Sequence, residues 1–449
     1  MNDLPPKPVS RPENVSLLRY LRLFRRDILS AQPAKLYRAW MAEFRTPFFR
    51  SYLINDPKLI NTVLKEEPDD FPKSDRIGAG LRPLLGNSVF LTNGAVWKRQ
   101  RRIIDPAFAG GRLRDTFSGI FAAGQAGAAR LRQDPEAQEI EAITSHIAAD
   151  VIFRTLFSLP IEDETAQKVF IEFRNYQRSQ PILNLAAFIP GPRWMPRFFR
   201  PATRVSARKI RVLITQLTVA RLEMIAEGTA PDDLATKILT TKDPETGATF
   251  SLSEMVDQVA IFFLAGHETS ASALAWSLYL LARYPDWQDK VAVEAAQFDG
   301  DFANLSQLKI TRDVFREALR LYPPVPMMVR QSLRENRFRD RVIKRGAQIV
   351  LSPWHLHRHN RLWDNPDGFD PSRWQTQNGK SCARDAYMPF SAGPRVCTGA
   401  GFAMIEGVAL LAALTKDHRF IADPACVPVP IAHLTVRAKD GIWLRIAAR

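Results

Sequence analysis

The chain has 449 residues, 46% of them hydrophobic and 24% charged, which is ordinary globular composition with no low-complexity linker and no fixed-period repeat. Its net charge of +15 favours an acidic partner or an anionic surface; no nucleic-acid motif accompanies the scattered arginines, so a nucleic-acid binder would rest on charge alone. Three cysteines, Cys382, Cys397 and Cys426, are too few for a disulfide framework or an all-cysteine iron–sulfur cluster.

No apolar run is long enough to span a bilayer, and the proline-rich stretch Met1–Pro12 shows no signal-peptide pattern. A soluble, cytoplasmic protein is expected. In residues 17–29, Leu17, Leu18, Leu21, Phe24 and Ile28 alternate with Arg19, Arg22, Arg25 and Arg26. That pattern suits a first helix packed on the body, the reading preferred here, or a helix lying on an anionic membrane. Residues 1–30 are therefore set apart as an N-terminal extension and first helix, and residues 31–449 as a single domain.

Phe48–Ile54 reads as a strand. Asp56-Pro57 reads as an N-cap with proline at the first helical position. Residues 71–91, with Gly78, Gly80, Pro83 and Gly86, read as irregular. In Trp97-Lys98-Arg99-Gln100-Arg101 the tryptophan and the last arginine share one helical face at i and i+4. Residues 115–240 read mainly as helices, interrupted over Gln180–Pro201 by closely spaced prolines among large apolar side chains.

Ser251–Arg283 is a long helical pattern with Ser253 placed to cap its start. At its middle stands Ala265-Gly266-His267-Glu268-Thr269-Ser270. Ala265 and Gly266 carry little bulk, so a flat ligand can approach the backbone there. A Thr269 hydroxyl bonded to the Ala265 carbonyl would bend the helix and open a groove. A hydroxyl beside the Glu268 carboxylate suits positioning of oxygen or water and delivery of protons. His267 is expected to face away.

Glu317 and Arg320 share a helical face, usually the mark of a solvated pair worth little, but Val314, Leu319 and Leu321 around them are apolar. Tyr322–Arg330 leads into a strand, and Phe369–Trp374 supplies Arg373. His355, His357 and His359 alternate at strand spacing and raise the question of a metal site, but no nearby cysteine completes a zinc pattern.

The densest motif is Phe390-Ser391-Ala392-Gly393-Pro394-Arg395-Val396-Cys397-Thr398-Gly399, followed by an apolar helical run to Leu414. Its glycines permit a tight loop beside a flat ligand. Backbone N–H groups and the helix start just beyond Cys397 favour a thiolate, a natural axial ligand for haem iron. Residues 420–449 read as strands around an Asp440-Gly441 hairpin, with no appended flavin or ferredoxin domain.

Phe390, Gly393, Arg395, Cys397 and Gly399 match the haem-ligand loop of the cytochrome P450 family, which the chain resembles from about Phe48 to Ile446 with its motifs in family order. The resemblance implies a mainly α fold with small β-sheets and haem b between the central helix and the cysteine loop. It makes Cys397 the iron ligand, with Trp97, Arg101, Arg330 and Arg395 on the propionates and Phe390, Gly393, Gly399, Ala265 and Gly266 beside the cofactor. Thr269 and Glu268 become catalytic. Glu317, Arg320 and Arg373 become a buried charge network that locks the cysteine region, with Trp374 a departure from the usual phenylalanine. His357-Arg358 matches a dipeptide near the haem edge, and on that match the metal site at the three histidines is rejected. Residues 180–201 become a lid, and Leu84, Leu85, Phe90, Phe262, Ala265, Val325, Met327, Met328 and Ile431 the substrate pocket.

The implied function is monooxygenation. One atom of O2 enters a lipophilic substrate, of a fatty-acid or terpenoid kind, by hydroxylation or epoxidation, and the other leaves as water. Electrons come from NAD(P)H through a separate reductase and an acidic carrier, ferredoxin or flavodoxin, docked on a basic face at Lys98, Arg99 and Arg102. A peroxide-driven haem-thiolate hydroxylase and a haem-based binding or sensor protein are the alternatives. Membrane contact would be at most peripheral.

Overall fold

The computed structural model describes residues 4–45, 50–131, 134–179 and 201–449. In chain order the helices are α1 (Leu17–Arg26), α2 (Pro57–Asn61), α3 (Asp75–Leu85), α4 (Gly94–Ile104), α5 (Leu113–Ala129), α6 (Ile140–Phe157), α7 (Glu164–Ser179), α8 (Pro201–Glu227), α9 (Leu234–Thr240), α10 (Leu252–Arg283), α11 (Pro285–Ala296), α12 (Lys309–Leu321), α13 (Pro353–Leu356), α14 (Gln377–Asp385) and α15 (Ala400–Lys416). The strands are β1 (Met41–Arg45), β2 (Arg50–Ile54), β3 (Asp134–Glu139), β4 (Met328–Gln331), β5 (Asn336–Phe338), β6 (Arg341–Ile343), β7 (Gln348–Leu351), β8 (His418–Ala422), β9 (Pro430–Ala432), β10 (Val436–Ala438) and β11 (Trp443–Ala448). Among the described residues no helix is long and apolar enough to cross a membrane.

The residues divide into two compact units. The first comprises Met1–Pro72, Gly124–His146 and Thr269–Arg449, and it holds every strand named above. Its largest sheet has the order β1-β2-β7-β4. β2 and β7, from opposite ends of the sequence, pair in parallel, and β4 closes the sheet antiparallel, with Arg330 opposite Ile349. Tyr52, Ile54, Ile349 and Leu351 join Trp363 and Trp374 in one buried apolar cluster. Asp56 caps α2 by accepting from the Lys58 N–H at 3.0 Å, with Pro57 at the first position, as the Asp-Pro pair predicts. α15 packs against α11 and α12.

Among the described residues the second unit, Lys73–Ala123 and Ile147–Glu268, has helices and no strand. α8 is its main partner surface, packing against both α7 and α3. α3 itself departs from the irregular segment expected there. Leu81, Leu84 and Leu85 recur on one buried face, and burying them outweighs the poor helix propensity of Gly78, Gly80 and Pro83.

Other expectations are also revised. α10 is closed at its start by Ser251, not Ser253. The Ser251 Oγ accepts from the Glu254 N–H at 3.3 Å while the Glu254 carboxylate accepts from the Ser251 N–H at 2.9 Å, a reciprocal capping box. The chain at Asp440-Gly441 does not join a hairpin pair, because β10 pairs with β9 and β11 pairs with β8 and β3. His355 lies in the short helix α13 rather than on a strand. The expected lid over 180–201 falls outside the described residues except for Pro201, the first residue of α8.

Candidate functional site

The cysteine loop of the first unit is a tight turn built on backbone bonds. The Cys397 N–H donates to the Phe390 carbonyl at 2.9 Å, and the Val396 N–H donates to the Gly393 carbonyl at 3.0 Å. Ser391 and Gly393 have φ of 64° and 68°. A side chain at Gly393 would bring Cβ to 1.8 Å from the Leu64 carbonyl oxygen, so only glycine fits between this turn and residues 62–66. The result is an exposed Cys397, three residues ahead of α15, where the helix N-terminus favours negative charge on sulfur. Cys382 is the opposite case. Its thiol is buried, donates to the Leu362 carbonyl at 3.2 Å, and is pushed up to about 11 by burial. Cys426 is exposed but stands outside any comparable turn.

Behind that loop lies a fully buried charge network. Arg320 forks onto Glu317 with bonds of 2.9 and 2.8 Å, and Arg373 Nε reaches the same carboxylate at 2.9 Å. The remaining guanidinium donors go to backbone carbonyls: Arg320 to His357, Pro366 and Gly368, Arg373 to Asp364, Asn365 and Gly368. Sequence reasoning gave His357 no part in this. Its ring bridges the network to the loop, with Nδ1 3.3 Å from the Arg320 carbonyl and Nε2 accepting from the Met388 N–H at 2.9 Å. Those two partners fix the neutral Nδ1–H tautomer, and burial holds the ring down at about 3. Among the described residues no group of His, Cys, Asp or Glu is arranged to hold a metal ion.

Arg330 supplies a test of fit for an anionic cofactor. On β4 it is 4% exposed, and among the described residues the one hydrogen bond its guanidinium makes is a long one, 3.4 Å, to the Val329 carbonyl. No carboxylate of the described residues pairs with it, and burial alone lowers it to about 10. A buried guanidinium without a counter-charge is costly, so the donor set at Arg330 suits a carboxylate brought by a ligand. The haem expected from sequence, with its propionates, meets that need. In the same unit Val325, Met327, Met328 and Ile431 are half-buried.

α10 is buried from Met255 to Leu281 except along one stripe: Phe262, Ala265, Gly266, Thr269 and Ser270. Their i, i+3, i+4, i+7, i+8 spacing is one helical face. The helix stays α-helical through the stripe. Glu268 and His267 are buried, His267 edge-on to Phe170 at 5.6 Å. A Cβ on Gly266 would stand 2.4 Å from Ile152 Cδ1, so its missing side chain makes room for α6. Ser270 Oγ donates to Glu406 Oε2 on α15 at 2.6 Å. Glu406 is 2% exposed and pushed up to about 8 by that burial, a buried acid that no sequence signal revealed.

In the second unit α4 carries a buried Trp97, with the Arg101 guanidinium 6.0 Å from its ring and tied to Asp105 at 2.7 Å. The docking patch expected on this helix is largely neutralised. Arg99 pairs with Glu254 at 2.6 Å, and Arg102 pairs with Asp243 at 2.6 Å and Glu245 at 2.9 Å. The bond from Arg102 holds the Asp243 carboxyl well below the usual range. Leu84 and Leu85, expected in the pocket, are fully buried in the packing of α3. Phe90 is half-buried beneath Lys73, and Phe262 packs on Phe108 at 5.8 Å.

The family model for cytochrome P450 matches residues 27–443. The chain belongs to the cytochrome P450 family. This P450 is 30% identical over 420 residues to the cyclooctat-9-en-7-ol 5-monooxygenase of Streptomyces melanosporofaciens, covering 91% of the chain and 88% of that protein. It is 28% identical over 401 residues to a cytokinin hydroxylase of Arabidopsis thaliana, with 87% and 77% covered. It is 30% identical over 418 residues to human cytochrome P450 4A11, with 87% and 78% covered. Among solved structures, the haem domain of cytochrome P450DA superposes with a TM-score of 0.82 at 22% identity, covering 99% of this P450 and 97% of that chain. The fold is the P450 fold, mainly helical with small sheets, and the relatives' names make the P450 an oxidoreductase of the monooxygenase kind.

Proposed function

We propose that this P450 binds haem b through Cys397 and oxygenates a lipophilic small molecule, fatty-acid- or terpenoid-like, by hydroxylation or epoxidation. The observation that carries the reading is the exposed Cys397 thiol on a turn that only Gly393 permits, within a unit that also buries the counter-charge-free Arg330. Bound haem supplies the activation of O2 that no side chain of this chain can supply. Arg330, together with Arg395, Arg101 and Trp97, holds the propionates, and Phe390, Gly393, Gly399 and Ala265 border the cofactor. Thr269, on the accessible stripe of α10, positions oxygen or water at its hydroxyl, and Glu268 next to it passes protons to that hydroxyl. Val325, Met327, Met328, Ile431, Phe262 and Phe90 give the substrate side an apolar lining. The names of the Streptomyces and Arabidopsis relatives, a monooxygenase of a cyclic alcohol and a hydroxylase, support this substrate class and reaction. Electrons come from NAD(P)H through a separate reductase and a small carrier, a ferredoxin or flavodoxin.

The carbon monoxide complex of the reduced protein tests the core of this reading. The long-wavelength band of thiolate ligation is expected in the wild type, in Cys382→Ala and in Cys426→Ala, and absent in Cys397→His. A Cys397→Ala protein that kept the band would overturn it. Thr269→Ala should keep haem and substrate binding but divert NAD(P)H electrons to peroxide, and unchanged coupling to product would remove Thr269 from the proton path.

A further inference from the structure

α8, in the second unit, has 27 residues and is about 40 Å long. One face is fixed inward. Ile210, Ile214 and Leu217 are buried there, and Arg211 is tied to Asp257 at 2.7 Å and to the Leu84 carbonyl at 2.9 Å. The opposite face carries Val205, Val212 and Val219 at seven-residue spacing, 55%, 51% and 36% exposed, and the exposed Ala226 continues the row. Leu222 flanks it, also exposed. Of the seven large apolar side chains exposed among the second unit's described residues, four are these, and Ile171 on α7 is a fifth. Scattered exposed apolar side chains are ordinary, but a row at a strict seven-residue period is the seam of a coiled coil.

The charges beside the row change sign along it. Arg208 and Lys209 stand in its first half, Glu223 and Glu227 in its second, all exposed. Lys209 and Glu223 are two seven-residue periods apart and so lie on one flank of the seam. Turned end for end about Gln216, the row meets itself. Val212 then lies against Val219, Val205 against Ala226 and Lys209 against Glu223, each pairing made twice across a two-fold axis. A parallel copy would instead bring basic end to basic end and acidic end to acidic end. A polyanion would answer only the first half of the helix, and a basic partner only the second. Lys209 already reaches Glu172 on α7 at 3.2 Å, but its side chain is 60% exposed, and such a pair costs little to exchange.

We propose that the exposed face of α8 is a self-association surface that takes a second copy of this chain, antiparallel across a two-fold axis at Gln216. One helix pair is small for a specific interface, so a dissociation constant on the order of 10 μM is expected. Sedimentation velocity of the holoprotein on either side of that concentration tests it, with monomer expected below and dimer above. Lys209→Glu and Glu223→Lys should each weaken the dimer at least about tenfold, because each sets like charges together twice. Both changes in one chain should restore it, and mixing the two single variants should give a heterodimer tighter than either variant alone. Val212→Ser with Val219→Ser should weaken it at least about tenfold at unchanged charge. A wild type that stays monomeric throughout would overturn the proposal. So would a dimer indifferent to the single reversals, or no gain on mixing, which would exclude the antiparallel pairing. If the double serine variant has a lowered urea midpoint, the charge variants, made at exposed side chains, decide alone.

Discussion

Two arginine-rich regions of this P450 manage charge in opposite ways. Around Glu317, in the first unit, carboxylate and guanidiniums are taken wholly out of water and their donors are met by one acid and a set of backbone carbonyls. On α4, in the second unit, the Arg99 and Arg102 guanidiniums stay partly in water and are answered by acids more than 140 positions further along the chain, Glu254 and Asp243. Burial makes the first arrangement intolerant of any missing member, while solvent forgives the second. The lesson is that an arginine's neighbours in sequence say little about what its charge does. The carboxylate that reaches it, and the water left around it, decide.

The comparison is tested most severely at Glu317. Glu317→Ala leaves Arg320 and Arg373 buried without their acid and should cost about 3–5 kcal/mol. Urea denaturation reads that loss, and a cost below 1 kcal/mol would erase the contrast with α4. His357 extends the network toward Cys397, so His357→Phe should raise the fraction of protein whose carbon monoxide band lacks the thiolate position.

pH should separate the regions next. Glu406 sits near 8 when folded against an ordinary carboxyl of about 4.5 when unfolded. Its stabilising contribution is complete below about pH 4.5 and is lost as pH rises toward 8, at a slope up to about 1.4 kcal/mol per pH unit. Glu141, pushed up to about 7 by burial, acts in the same direction. His355 and His357, held near 3, work on the acid side, where stability falls as pH drops below about 6.5. Glu406→Gln should flatten the alkaline limb of a stability–pH curve and leave the acid limb alone. An unchanged alkaline slope would show that Glu406 ionises freely.

Within the second unit packing, not charge, should set the larger effect. Gly266→Ala forces a methyl against Ile152 and should cost about 1–3 kcal/mol, recovered in part by adding Ile152→Val. Denaturation of the two variants measures the coupling, and strict additivity would deny the contact. The smallest effect belongs to α4 itself. Glu254→Ala, which releases Arg99, should change stability by no more than about 1 kcal/mol. Its reduction by a physiological carrier should quicken only if that helix faces the carrier.

What the sequence determined by itself is local. The Asp56-Pro57 cap, the length of α10, the i, i+3 placement of Glu317 and Arg320, and the cysteine turn all rest on residues within a few positions of one another. Backbone geometry links such residues directly, and the spacing of Phe390, Gly393, Arg395, Cys397 and Gly399 was enough to point to the family. Tertiary structure decided what depends on distant partners. Gly266 makes room for Ile152, Leu84 and Leu85 are spent on core packing, Arg99 and Arg102 are neutralised from far down the chain, and Glu406 is buried against Ser270. None of these is a property of a short segment. Each arises where two stretches meet, and there burial and the nearest opposite charge, not residue type, fix what a side chain does.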